Sequence, residues 1–323
     1  MTAARGGPSG GPERPRILLD CDPGLDDAAA IVVAAHFADL VGVTTVGGNA
    51  PLAAVTTNAL LTAQVFGLDV EVHAGAAGPL VGEPRHAPEI HGEHGFAGPT
   101  LPTLARSVAS GDGVEYLIET IRAEAGSWLV PTGPLTNVAL ALRAAPDLCD
   151  RLAGISFMGG SATVGNHTAV AEFNVLADPE AAAVVCDAGR RLPVLMAGLD
   201  LTHQFVVDDD LADRLRAIAS PGAVMLADLV VAYLDRVEAI RGWRRGGLHD
   251  PCAVLAVTHP HLFRHRRRRV GVELTGTLTR GMTVVDRRPA DDVDDDGGNV
   301  HHGQRLDHPG ALAALLEAVA AHG

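Results

Sequence analysis

Short runs of Val, Ile and Leu alternate with longer alanine-rich stretches along most of the chain. Apolar runs of three to six residues suit buried strands, whereas alanine-rich segments of about ten residues suit helices. On this basis strands are predicted at 17–19, 41–46, 70–73, 128–130, 155–158 and 194–197, with helices at 27–37, 52–66, 114–124, 135–143 and 179–187. Repeated strand-then-helix units predict a mainly parallel sheet covered by helices. Asp178-Pro179 and Asp250-Pro251 each place an N-capping aspartate before a proline at the first helical position. Two late strands, 270–274 and 282–285, read as a hairpin or an edge pair. No repeat or linker divides the pattern. The expectation is one large α/β domain over 16–323 with a Rossmann-like parallel sheet, preceded by a flexible Gly/Pro/Arg-rich tail over 1–15.

Composition narrows the partners. The 323 residues are 47% hydrophobic but only 3% aromatic, and the net charge is -14, so the chain lacks both the stacking surface and the basic face that nucleic acid needs. The acidic run Asp291–Asp296, followed by Gly297-Gly298, reads as a solvated loop, and the run Arg264–Arg269 as a solvated face or an oligomer contact. Four cysteines, Cys21, Cys149, Cys186 and Cys252, show no CxxC spacing and read as buried free thiols. The first sixteen residues have no apolar core, and the longest apolar stretch, 28–37, is interrupted by His36. That is far short of the roughly 20 residues a span requires. No membrane partner and a cytoplasmic location are expected.

In such sheets ligands bind beyond the carboxyl ends of the strands. Five loops qualify: 20–27, 47–49, 131–134, 159–160 and the stretch ending at Asp200. The first carries four aspartates in eight residues, Asp20, Asp22, Asp26 and Asp27, directly after an apolar strand. Isolated carboxylates in a low-dielectric site repel and resist ionisation, so this density calls for a cation, best a hard divalent metal. Asn49 after Gly47-Gly48 can be a simple turn residue, and His91 in a Gly-punctuated loop an ordinary surface histidine. At Thr132 the backbone carbonyl is a better ligand than the side chain. Asn166, Glu172 and Asn174 can hydrogen-bond sugar hydroxyls, with Phe173 between them as a wall. Asp250 can be a helix cap alone, but His249 beside it adds a second chemical group.

The string Asp20-Cys21-Asp22-Pro23-Gly24-Leu25-Asp26-Asp27 resembles the signature of the nucleoside hydrolases, the inosine/uridine-preferring N-ribohydrolases. The other landmarks follow in order between Ile17 and Asp250. The resemblance implies the nucleoside hydrolase fold and calcium-dependent release of ribose and free nucleobase from a small ribonucleoside. It implies Ca2+ on Asp22, Asp27, the Thr132 carbonyl and Asp250. Ribose would be bound by Asp26, Asn49, Asn166, Glu172, Phe173, Asn174 and Asp250. His91 would face the base, Asp22 would be general base to the attacking water and His249 general acid to the leaving base. The pair His91 and His249 resembles broad or pyrimidine-preferring members, and the family implies a homodimer or homotetramer. The loop 241–247 is expected to close over substrate, with Tyr233 near the base. Two other classes stay open on the residues alone. One is a metal-dependent phosphatase, which would need a basic phosphate clamp that the five loops lack. The other is a non-catalytic nucleoside- or ribose-binding protein.

Overall fold

Ile17, Leu19 and Cys21 face one side of the first strand and Leu18 the other, and all are buried, so apolar layers must cover both faces of the sheet. The computed structural model describes residues 14–109, 112–288 and 297–322. Within them run β1 (Arg16–Cys21), β2 (Asp39–Thr45), β3 (Val72–Ala74), β4 (Trp128–Pro131), β5 (Gly154–Met158), β6 (Val194–Ala197), β7 (Val206–Val207), β8 (Gly246–Gly247), β9 (Phe263–Arg268), β10 (Val270–Val272), β11 (Thr283–Val285) and β12 (Val300–Leu306). The main sheet has the order β3-β2-β1-β4-β5-β6-β12-β9, parallel except for the antiparallel edge strand β9. It is a single α/β domain flanked by helices, as the alternating pattern predicts.

One face packs on helices Leu25–Phe37, Pro221–Arg241, Pro251–Thr258 and His308–His322. The other packs on Gly113–Ala123, Thr136–Ala144 and Pro179–Ala188. The strand order reverses direction between β1 and β4, and at such a switch point the loops leaving adjacent strands diverge to open a crevice. The 20–27 and 131–134 loops leave the sheet there.

The late hairpin is present as the antiparallel pair β10–β11, shorter than predicted. The Arg-rich run is largely a strand. It forms most of β9, whose side chains are mostly exposed or half-buried while its backbone pairs with β12, so it presents a charged face on an edge strand. The tail over 1–13 and the acidic run 291–296 lie outside the described residues. No helix among the described residues is long and apolar enough to cross a membrane.

Candidate active site

After β1 the chain turns through Asp22-Pro23-Gly24 into the helix Leu25–Phe37, and Asp27 in its first turn ties the turn together. Asp27 Oδ2 accepts from the Gly24 N–H at 3.0 Å, and Oδ1 accepts from the Asp22 N–H at 3.3 Å and the Thr132 hydroxyl at 2.8 Å. Asp22 Oδ2 accepts from the Asn49 N–H at 2.7 Å, while its Oδ1 is buried with no hydrogen-bond partner. Asn49 also donates through Nδ2 to the Asp22 carbonyl at 3.1 Å and to Asp27 at 3.4 Å. Glycine is required beside this carboxylate: a Cβ on Gly133 would stand 2.6 Å from Asp22 Oδ1, and one on Gly48 would strike Oδ2.

Asp250 occupies the N-cap position of the helix Pro251–Thr258, yet its side chain makes no capping hydrogen bond. The cap reading of its sequence therefore fails at the side chain, whereas Asp178 does cap, accepting from the Ala181 N–H at 3.0 Å. The Asp250 carboxylate is spent on the acidic cluster instead. Asp26, Asp27 and Asp250 present oxygens that all lie within 4.8 Å of one another and can hold a metal ion. Asp20 lies deeper and serves the scaffold, accepting from the Thr44 hydroxyl at 2.6 Å and Asn137 Nδ2 at 2.7 Å.

Burial and mutual repulsion dominate the electrostatics. Burial, then Asp27, hold the Asp22 carboxyl well above the ordinary carboxylate range, and burial, then Asp26, Asp27 and Asp22, do the same to Asp250. Asp26 is pushed up to about 7 by burial and by Asp27, and Asp27 itself is raised by burial. Four buried acids that repel one another, one with an orphaned oxygen, fit a hard cation and an all-oxygen donor set.

Above this floor opens a cavity of about 610 Å³. Asp26, Asn49, Thr132 and Asp250 line its base, while Asp22 and Asp27 lie beneath that surface. One wall carries Asn166, Glu172, Phe173 and Asn174. Glu172 is committed to backbone: Oε1 accepts from the Asn174 N–H at 2.9 Å, and Oε2 from the Gly160 and Val175 N–H groups at 2.8 and 3.1 Å. It thereby caps the helix Phe173–Ala177 and joins it to the loop after β5. Asn174 Nδ2 donates to the Thr132 carbonyl at 2.6 Å and the Met158 carbonyl at 3.2 Å, leaving its Oδ1 for a ligand. Asn166 Oδ1 accepts from the Phe173 N–H at 2.9 Å, leaving its amide nitrogen.

The cavity is also lined by His91, His203, Tyr233, Arg241 and His249. His91 sits so close to the acid turn that any Cβ on Gly24 would collide with its ring. Burial, helped by Arg236, lowers His91 to about 4, and burial with His203, His91 and Arg241 lowers His249 to about 3. His249 Nδ1 lies 2.7 Å from the Thr202 hydroxyl. When that hydroxyl donates, the neutral ring carries its proton on Nε2. The loop 241–247 borders the cavity mouth through Arg241, Trp243, Arg245, Gly246 and Gly247. Trp243 is 57% exposed there, and Trp128, in β4, lies away from the cavity against Gly154.

All the residues expected at the site thus gather around one crevice. Sequence reasoning missed Thr202 and His203, and it placed Arg241 only as the first residue of the loop 241–247. A threonine 47 residues from the histidine it touches leaves no pattern in the chain, and Arg241 is visible only through the phase of the helix Pro221–Arg241, whose Tyr233, Val237 and Arg241 recur every four residues.

A Rossmann-like sheet whose switch point opens onto a buried acidic floor and a wall of amides is an α/β enzyme scaffold for a small, polar, hydroxyl-rich molecule. Residues 17–313 match the family model of the inosine-uridine preferring nucleoside hydrolases, so the chain belongs to that family and is a hydrolase of N-glycosidic bonds. It is 44% identical over 278 residues to the pyrimidine-specific ribonucleoside hydrolase RihA of Shewanella woodyi, covering 84% of this chain and 88% of that protein. It is 41% identical over 275 residues to RihA of Escherichia coli, with 84% and 88% covered. Among solved structures, the purine-preferring ribonucleoside hydrolase from Gardnerella vaginalis superposes with a TM-score of 0.87 at 29% identity, covering 95% of this chain and 98% of that one. Membership of a family that hydrolyses N-glycosidic bonds sets aside the phosphatase and the non-catalytic binding protein.

Proposed function

We propose that the chain is a calcium-dependent ribonucleoside hydrolase that prefers pyrimidine ribonucleosides and releases ribose and the free base. The observation that carries this reading is the buried carboxylate floor of Asp22, Asp26, Asp27 and Asp250 beneath a cavity walled by Asn166, Glu172 and Asn174. Asp22, Asp27, Asp250 and the Thr132 carbonyl would hold the ion. The Thr132 carbonyl keeps a second lone pair beside the one that Asn174 uses. A bound calcium ion supplies positive charge that keeps these acids ionised and polarises ligand oxygens.

The chain's own residues supply the rest. Asp22, held by Asn49 at one oxygen, offers its orphaned Oδ1 as the base that takes the proton of the attacking water. Asn49, Asn166 and Asn174 bind and orient the ribose hydroxyls, and Phe173 walls the sugar from solvent. The floor's negative charge favours the flattened, cationic sugar of the transition state. His249, tautomer-set by Thr202, directs its Nε2–H toward the departing base as a hydrogen-bond donor, and the acid role that the family resemblance implies for it requires the ring to be protonated first. The pyrimidine preference draws on the RihA relatives and on the lack of a tryptophan pair at the cavity, where Trp243 stands alone. Four buried free cysteines support a cytoplasmic setting, and the family resemblance supports a homodimer or homotetramer.

Incubation with uridine, cytidine and inosine, followed by chromatography of the free bases, tests the reading. Uracil and cytosine should appear at least about tenfold faster than hypoxanthine, a difference of roughly 1.4 kcal/mol in transition-state binding. Release of no base, or a preference for inosine, counts against it.

A further inference from the structure

Arg236, in the helix Pro221–Arg241, is half-buried and makes no ion pair among the described residues. Two acids near it along the helix are already taken: Asp235 and Glu238 both accept from Arg244, the latter at 3.2 Å. Its guanidinium turns instead to the segment that carries His91. Nη1 donates to the Ile90 carbonyl at 3.5 Å, one of the last carbonyls of the short helix Pro88–His91, which such a helix leaves without an internal donor. That bond is long, but the same group also sits over the next turn. Gly92 leaves the helix at φ +78°, and a Cβ there would stand 3.2 and 3.4 Å from the two terminal guanidinium nitrogens. A cation is thus seated on backbone at the point where the chain passes His91.

Beside these groups lies a gap of about 10 Å³, room for at most about one water. His91 and Tyr233 line both this gap and the catalytic cavity, whereas Arg236 lines the gap alone. The two side chains therefore form a partition with a void on one side, and a void forfeits the contacts that would otherwise hold them in place. We infer that Arg236 is a positioning residue: it latches the segment that carries His91 to the long helix that carries Tyr233, and so fixes the spacing of these two side chains at the cavity without touching substrate. The inference rests on the ribonucleoside reading above, in which His91 faces the base. The bland alternative is a cation that only stabilises the fold. That role would not single out one part of the substrate.

The test compares the wild type with Arg236→Met, Arg236→Lys and Gly92→Ala by uridine kinetics and by inhibition with ribose, the product that carries no base. Arg236→Met should raise KM for uridine roughly tenfold, the scale of one hydrogen bond from a charged donor, while kcat changes little and the inhibition constant of ribose stays the same. Arg236→Lys should recover part of the loss, because an ammonium can reach the carbonyl but cannot cover Gly92 as the planar guanidinium does. Gly92→Ala pushes the guanidinium away from the loop side, so it should reproduce the KM defect, and adding it to Arg236→Met should cost little more. Should Arg236→Met fail to fold, Arg236→Lys and Gly92→Ala decide by the same readouts. A ribose constant that rises in step with KM, a loss confined to kcat, or an unchanged KM overturns the role of Arg236 while leaving nucleoside hydrolysis intact. Absence of wild-type turnover on both uridine and inosine removes the ribonucleoside reading, and this inference with it.

Discussion

At the residue scale, the same dipeptide does two different jobs. Asp178-Pro179 and Asp250-Pro251 look alike in sequence, but Asp178 accepts from a helix N–H and from the Thr136 hydroxyl at 2.7 Å, whereas Asp250 turns to Asp26 and Asp27. The difference lies in what each carboxylate meets across the fold, which local spacing does not encode. The acid turn was legible for the opposite reason. Four aspartates in eight residues after a buried strand have no comfortable solution without a ligand, whatever the fold. Asp22→Asn keeps the Asn49 contact and the shape but removes the base, so turnover should fall by roughly 10²–10⁴-fold with the circular dichroism spectrum unchanged; retained turnover would remove Asp22 from that role. Thr202→Val should lower kcat on uridine with little change in KM, because the neutral His249 ring loses the partner that orients its Nε2–H. An unchanged kcat would show that Thr202 does not set the tautomer.

Elements bring these residues together through a few tethers. Asn58 in the helix Leu52–Val65 donates to the Pro23 carbonyl at 2.9 Å and to the His94 carbonyl at 2.7 Å, joining the acid turn to the loop that carries His91. Asn58→Ala leaves two carbonyls without their donor. It should cost about 1–3 kcal/mol in a denaturant titration and raise KM for uridine; a change in neither would mean that the tether does not position the loops. The six early parallel strands were legible because buried parallel strands are short and continuously apolar. The edge of the sheet was not. β9 reads Phe-Arg-His-Arg-Arg-Arg, and β12 contains two histidines and a glycine. Their pairing is satisfied through the backbone, so neither needs an apolar run. The hairpin β10–β11 was visible as a pair of β-branched runs, but the helix Pro221–Arg241 went unnamed although its Tyr233, Val237 and Arg241 line the cavity.

For the whole molecule, the carboxylate floor opposes folding unless its charge is met. In the metal-free protein Asp26 and Asp20 are raised from 3.8 to about 7, so between these values the folded chain binds more protons than the unfolded chain. Unfolding free energy then falls as pH rises through that window. The metal-free protein should accordingly melt at a higher temperature near pH 5 than near pH 8, and calcium should raise the melting temperature more at pH 8. A metal-free protein that gains stability from pH 5 to pH 8 would contradict the buried repulsion. The central claim is that aspartates from the first βα turn and from position 250 jointly hold one hard cation for catalysis. Calorimetric titration of chelator-treated protein with calcium tests it most directly. The account predicts one calcium per chain, binding lost in Asp27→Asn and Asp250→Asn, and uridine hydrolysis returning in step with occupancy. Hydrolysis at full rate without a bound divalent ion, or calcium binding untouched by both substitutions, would contradict it.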